Sequence, residues 1–156
     1  MKKSRRKWSK SRGLPPGSLV YVGDEKGKIP RMVIIDYDEE KVWEKPAKNL
    51  DECRKISQGA STTTWINIDG LENKEILEDV GKKFNIHSLT LEDIMNTTQR
   101  PKTEPYADYI YIIVKMLYPG TDGISIEEEQ ISIILGKNHV ITFQEREGDV
   151  FDPVRK

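Results

Sequence analysis

Residues 63–96, TTWINIDGLENKEILEDVGKKFNIHSLTLEDIMN, decide the fold, because a strand gives way there to two helices. Residues 63–68 set β-branched side chains around Trp65 and stop at Asp69-Gly70, as a strand does. From Asn73 to Phe84, the residues Ile76, Leu77, Val80 and Phe84 share one helical face. Glu78 precedes Lys82 at the favourable i, i+4 spacing. Residues 88–96 predict a second, shorter helix, and Pro101 forbids its continuation.

On the N-terminal side, Arg31–Tyr37 holds the apolar run Met32-Val33-Ile34-Ile35 and reads as a strand. Residues 41–44 are expected to pair with it across Asp38-Glu39-Glu40. Pro15-Pro16-Gly17 marks a turn, residues 18–22 a short strand, and residues 49–57 a short helix. On the C-terminal side, strands are expected at residues 109–117, 130–135 and 140–144. Gly136-Lys137-Asn138 forms the hairpin loop between the last two. Residues 109–114 are apolar on both faces, as a central, doubly covered strand would be. Strands, then helices, then strands predict an α/β domain over residues 13–151: a mixed parallel and antiparallel sheet of about six or seven strands between helical layers. Residues 152–156, with Asp152 as N-cap and Pro153 at the first helical position, read as the start of a helix that a shortened chain leaves without its body.

Charge is distributed unevenly along the 156 residues. Residues 1–12 carry seven of the 25 basic residues and no acid, so the body keeps 18 basic against 26 acidic residues, a net of −8. The first twelve residues read as a disordered basic tail. An acidic body disfavours nucleic acid as the ligand and suits cations. Cys53 is the single cysteine, which excludes an intrachain disulfide and, with only His87 and His139 beside it, argues against a zinc site. These features are expected of a reduced, intracellular, soluble chain without a signal peptide. The longest apolar run, residues 109–114, is far short of the roughly 20 residues a membrane helix needs.

Catalytic signatures are missing. The sequence holds no G-x-G-x-x-G, no phosphate-cradling G-x-x-x-x-G-K-[ST], no G-x-S-x-G and no H-E-x-x-H. His87 and His139 read as capping or packing residues, and the scattered Trp8, Trp43 and Trp65 form no platform for bases. The expectation is that the chain is not an enzyme.

The helix at residues 88–96 is the informative one. With Leu91 at zero on a helical wheel, Ile94 and Met95 fall within about 60° on either side, whereas Glu92 lies near 100° and Asp93 near 200°. Both acids are therefore expected to point away from their own domain. Thr90-x-x-Asp93 also fits a capping box, which would make the acids purely structural. The functional alternative is a hard-cation site of carboxylate oxygens. Local physics leaves both open.

The run Leu91-Glu92-Asp93-Ile94-Met95-Asn96, followed by Gln99-Arg100-Pro101-Lys102, resembles the N-terminal domain of CorA magnesium transporters. Gly13-Leu14-Pro15-Pro16-Gly17, Trp65-Ile66-Asn67-Ile68, Phe143-Gln144-Glu145 and residues 148–155 resemble further segments of that family, in the same order. The resemblance implies a cytosolic regulatory domain of a homopentamer whose stalk, membrane helices and Gly-Met-Asn pore signature lie in segments not present here. It implies a place on the cytoplasmic face of the cell membrane, with the protein itself and divalent ions as partners. It further implies that Glu92 and Asp93 bind regulatory Mg2+, with Co2+ as an alternative, between neighbouring subunits, and that the Leu14 carbonyl contributes to a second site. The alternatives are a superfamily relative that moves zinc or another divalent ion, and a stand-alone ligand-binding domain.

Overall fold

The computed structural model describes residues 13–23, 30–52, 62–120, 122–151 and 153–155. Among the described residues, the elements with both ends in view follow one another as β1 (Arg31–Tyr37), β2 (Val42–Ala47), β3 (Thr63–Asp69), α1 (Lys74–Phe84), α2 (Ser88–Met95), β4 (Lys102–Pro105), β5 (Tyr109–Pro119), β6 (Ile126–Gly136) and β7 (His139–Gln144). They build one mixed sheet in the order β2-β1-β3-β7-β6-β5-β4. The β3–β7 pair is parallel, with Ile66 beside Ile141, and the other pairs are antiparallel. A parallel pair needs a crossover, and everything from α1 to β6 lies within it.

Both helices pack on one face of the sheet. Met32, Ile34, Ile66, Ile68, Ile141 and Phe143 meet Leu77, Val80, Leu91, Ile94 and Met95 in a single core. Gly81 lets the helices close on each other, since a Cβ there would stand 2.5 Å from Leu91 Cδ1. Asn73 caps α1 through Oδ1, which accepts from the amides of Glu75 and Ile76. Lys74 pairs with Glu78 at 3.0 Å, where the sequence pointed to Glu78 and Lys82.

The opposite face is polar at its centre. Trp65 Nε1 donates to Thr142 Oγ1 (2.9 Å), Thr142 Oγ1 to Asn67 Oδ1 (2.6 Å), and Asn67 Nδ2 to Asp69 Oδ1 (2.8 Å). The end of the chain closes over this relay. Phe151 meets the Trp65 ring edge-on at 6.0 Å, and the Arg155 guanidinium lies 4.7 Å above it. Arg155 also grips Asp149 with two bonds, of 2.7 and 2.5 Å.

Several expectations need correction. Residues 18–22 form no strand of the sheet and are joined to α2 by Val22 N–H donating to the Met95 carbonyl. β5 is not doubly covered: it lies next to the edge strand, and Ile110 on its second face is exposed. β4, Lys-Thr-Glu-Pro, was not foreseen because it has no apolar residue to announce it. Leu50 to Glu52 begin the helix expected at residues 49–57, whose remainder lies outside the described residues, as do residues 1–12 and Asp152. Pro153 and Val154 form a turn, with Arg155 N–H reaching the Phe151 carbonyl at 3.2 Å.

Candidate metal-binding corner at the second helix

The corner is built on α2, whose N-cap is His87: its Nδ1 accepts from the Leu89 amide at 3.2 Å. Thr90 is therefore not the cap. It is buried and shares a 3.2 Å hydrogen bond with the Tyr109 hydroxyl. Leu91, Ile94 and Met95 turn into the core as the wheel predicts, leaving Glu92 and Asp93 on the outer flanks.

Neither acid stands free. Glu92 Oε2 accepts from the Gly17 amide at 2.6 Å. It fixes the turn of residues 15–18, in which Ser18 N–H and its hydroxyl both return to the Pro15 carbonyl. Gly17 has φ of +83°, and a Cβ there would lie 2.9 Å from Ser88 Oγ, so the turn fits against α2 only with glycine. Glu92 and the Leu14 segment are thereby brought to one corner. The Leu14 side chain is exposed and lines a groove of about 570 Å³ with Leu19, Lys82 and Leu91, a groove that neither acid enters.

Asp93 faces the other way, toward β4. Its Oδ1 accepts from Gln99 Nε2 at 2.6 Å and its Oδ2 from Lys102 Nζ at 2.6 Å. Lys102 Nζ also donates to Glu104 Oε1 at 2.8 Å and lies 5.5 Å above the Tyr111 ring. Burial alone would push the Lys102 ammonium down, but its bonds to Asp93 and Glu104 outweigh that and hold it above the ordinary lysine value. The Asp93 side chain keeps 24% of its exposure, and its backbone carbonyl is held by Gln130 Nε2 at 3.3 Å.

The expectation that both acids point away from their own domain is thus corrected: each is bonded within it. The side of α2 away from the core is occupied, by the turn of residues 15–18 on one flank and by β4 on the other. Sequence reasoning also missed Lys102, Glu104 and Gln130 as neighbours of Asp93. Lys102 is nine residues away beyond a proline, and Gln130 lies on a distant strand, so no local spacing could reveal either. Among the described residues, no group of three or more His, Cys, Asp or Glu is arranged to hold a metal ion. Both histidines serve as read: His87 caps a helix, and His139 packs on Phe84 at 5.0 Å.

A seven-stranded mixed sheet with its helices on one face defines the class: an α/β domain of the type seen in the soluble domain of CorA from Methanocaldococcus jannaschii. That structure matches with a TM-score of 0.52 and 18% identity, over 73% of this chain and 41% of that one. The full-length CmaX protein matches with a TM-score of 0.56 and 13% identity, over 80% and 37%. At such identities the likeness speaks for the fold alone. Sequence carries it further. A family profile described as CorA-like Mg2+ transporter protein matches residues 60–156. The cobalt/magnesium transport protein CorA of Thermotoga maritima is 41% identical over 148 residues, 95% of this chain and 42% of the relative. The putative metal ion transporter YfjQ of Bacillus subtilis is 31% identical over 111 residues, 70% of this chain and 32% of the relative. The chain belongs to the CorA-like Mg2+ transporter family, and it spans less than half the length of these two curated relatives. Among the described residues, no helix is long and apolar enough to cross a membrane.

Proposed function

We propose that this chain is the regulatory part of a Mg2+ and Co2+ transporter, placed on the cytoplasmic side of the membrane, and that it senses the ion it helps to admit. The family is one of transporters rather than enzymes, and its members' names supply the cargo. The observation that carries the sensing role is the setting of Asp93. Its backbone is anchored by Gln130, its carboxylate is partly exposed, and its partners are the side chains of Gln99 and Lys102, which can exchange for a cation.

Mg2+ retains most of its waters and needs only one or two carboxylates. Asp93 would supply one, Glu92 and the Leu14 carbonyl would serve a second position, and the remaining ligands would come from a neighbouring subunit of a homopentamer. Two carboxylates facing each other across a subunit boundary repel by roughly 1 to 4 kcal/mol, depending on the local dielectric. A dication between them replaces repulsion by a bridge and favours the closed ring. Loss of the ion at low concentration lets the subunits separate, and repetition around the ring steepens the response.

Paramagnetic Co2+ provides the test. Added to the chain in increments, it should broaden the amide resonances around residues 89–97 and 13–18 first. Asp93→Ala should abolish the broadening at residues 93–97. Broadening centred elsewhere, unchanged by that substitution, would refute the sensing role.

A further inference from the structure

We infer that Lys102 is a tethered counter-cation that occupies the seat of the divalent ion, so that metal enters at Asp93 only as the ammonium leaves. This rests on the proposed role of Asp93 and adds how its affinity is set.

The geometry is that of an occupied cation site. Lys102 Nζ lies 2.6 Å from Asp93 Oδ2 and 2.8 Å from Glu104 Oε1, so two carboxylates from different elements converge on one positive nitrogen. Gln99 holds the far oxygen of Asp93, and the Tyr106 hydroxyl reaches Glu104 Oε2 at 3.5 Å, so the acids keep their places from outside the bridge. The Tyr111 ring lines the floor under the ammonium, where the electron-rich face of an aromatic favours a cation. Two carboxylates and one ammonium leave a single negative charge, a poor seat for a dication. With the lysine withdrawn, the two acids match a dication's charge.

Lysine is suited to this role. Its charge is compact and sits on four flexible carbons, and 28% of its side chain is exposed, which gives it a path to water. Arginine would bind a carboxylate through two parallel bonds and leave less readily. A built-in competitor weakens metal binding by a constant factor. That moves the response toward the high concentrations at which an abundant ion must be sensed, without altering the ligands.

The test is a Mg2+ titration of the chain, followed through the amide shifts of residues 90–97 in wild type, Lys102→Met, Lys102→Arg and Asp93→Asn. A unit charge a few ångströms from a dication is worth more than a tenfold change in affinity at protein-surface dielectric. Lys102→Met should therefore bind Mg2+ at least about tenfold more tightly than wild type. Lys102→Arg should bind no more tightly than wild type, and Asp93→Asn in the Lys102→Met background should cancel the gain. If Lys102→Met binds no more tightly while Asp93→Asn still weakens the wild type, Lys102 is a structural ion pair and the competitor role fails, although Asp93 remains a ligand. If Asp93→Asn changes nothing in either background, the ligand role of Asp93 fails and the inference with it. Thermal melts of the same variants register the loss of a purely structural bridge, which would lower the melting temperature and leave affinity untouched.

Discussion

Gly17 shows how much one residue can carry at this corner. Its φ of +83° disfavours any side chain, and the added Cβ would press on Ser88 Oγ at 2.9 Å. Gly13 provides the control, with φ of +89° and, among the described residues, nothing within 4 Å of the place a Cβ would take. Forcing a left-handed backbone on alanine costs roughly 1 to 2 kcal/mol, so both substitutions share that loss. Gly17→Ala should lose more in a urea titration, because the Pro15–Ser18 turn must also move away from Glu92. Equal midpoints for the two variants would mean that Ser88 yields without cost. The helical wheel singles out Glu92 and Asp93, and the family resemblance alone points to the Leu14 segment; the structure brings Glu92 and that segment together through the Gly17 amide. Their surroundings were not legible. A helical wheel gives the angle of Asp93 about its own axis but cannot say that β4 runs along that side, because Lys-Thr-Glu-Pro has no apolar alternation and a single β-branched residue, Thr103.

Elements with an apolar signature were read well. β1, β3, α1, α2 and the last three strands fall where hydrophobic spacing put them, because in each case one face is buried against the same core. What spacing could not supply was the second face, where polar residues do the joining. Thr142 is 2% exposed and links Trp65 to Asn67 and, through it, to Asp69, yet nothing in the sequence marks it as a hub. Thr142→Val keeps the shape and takes the hydroxyl from the buried Asn67 Oδ1 and the part-buried Trp65 N–H, which costs about 1 to 3 kcal/mol for the buried group when unrelieved by water. A urea titration should show that loss, and an unchanged midpoint would mean that water replaces the hydroxyl. The clasp above it should be stiffer still. Asp149 has a side chain only 2% exposed, held by Arg155 at 18%. Arg155→Ala leaves a buried carboxylate with the Phe151 amide but without its counter-charge, and the expected loss is about 3 kcal/mol. Adding Asp149→Asn to Arg155→Ala should recover part of it. A double variant as unstable as the single one would show that the packing of Arg155 on Trp65, not the ion pair, holds the segment.

For the molecule as a whole, buried titratable groups set the range of pH over which the fold is firm. His139 is pushed below its ordinary value by burial against Phe84, with its Nε2 buried and without a hydrogen-bond partner among the described residues. The unfolded chain therefore binds this proton more readily than the folded one. Stability is fully present above about pH 6.5, the free histidine value, and is lost as pH falls through it toward the lower folded value. Asp69 and Glu129 act in the opposite sense at lower pH. Burial raises both, so between the ordinary carboxylate range near 4 and their raised folded values the folded state retains protons that the unfolded state has released, and as pH falls through that window they offset part of the loss. At the alkaline end, burial and then the charge of Glu129 push the Tyr118 hydroxyl up to about 12. Unfolded tyrosine ionises near 10, so stability is present below that pH and declines as pH rises from about 10 to about 12. Buried Tyr111, raised in the same direction, steepens the decline. Melting temperature against pH should show a plateau from about 6.5 to about 10, with a shoulder on each side. His139→Gln removes the titrating ring from the acid side only. It should flatten the melting temperature between about pH 7 and about pH 5.5 and leave the alkaline limb unchanged. An acid limb of the same slope in that variant would show that the His139 ring does not cause it, since carboxylates held low by hydrogen bonds, such as Asp122 at about 2, lose their contribution only below the ordinary carboxylate range near 4.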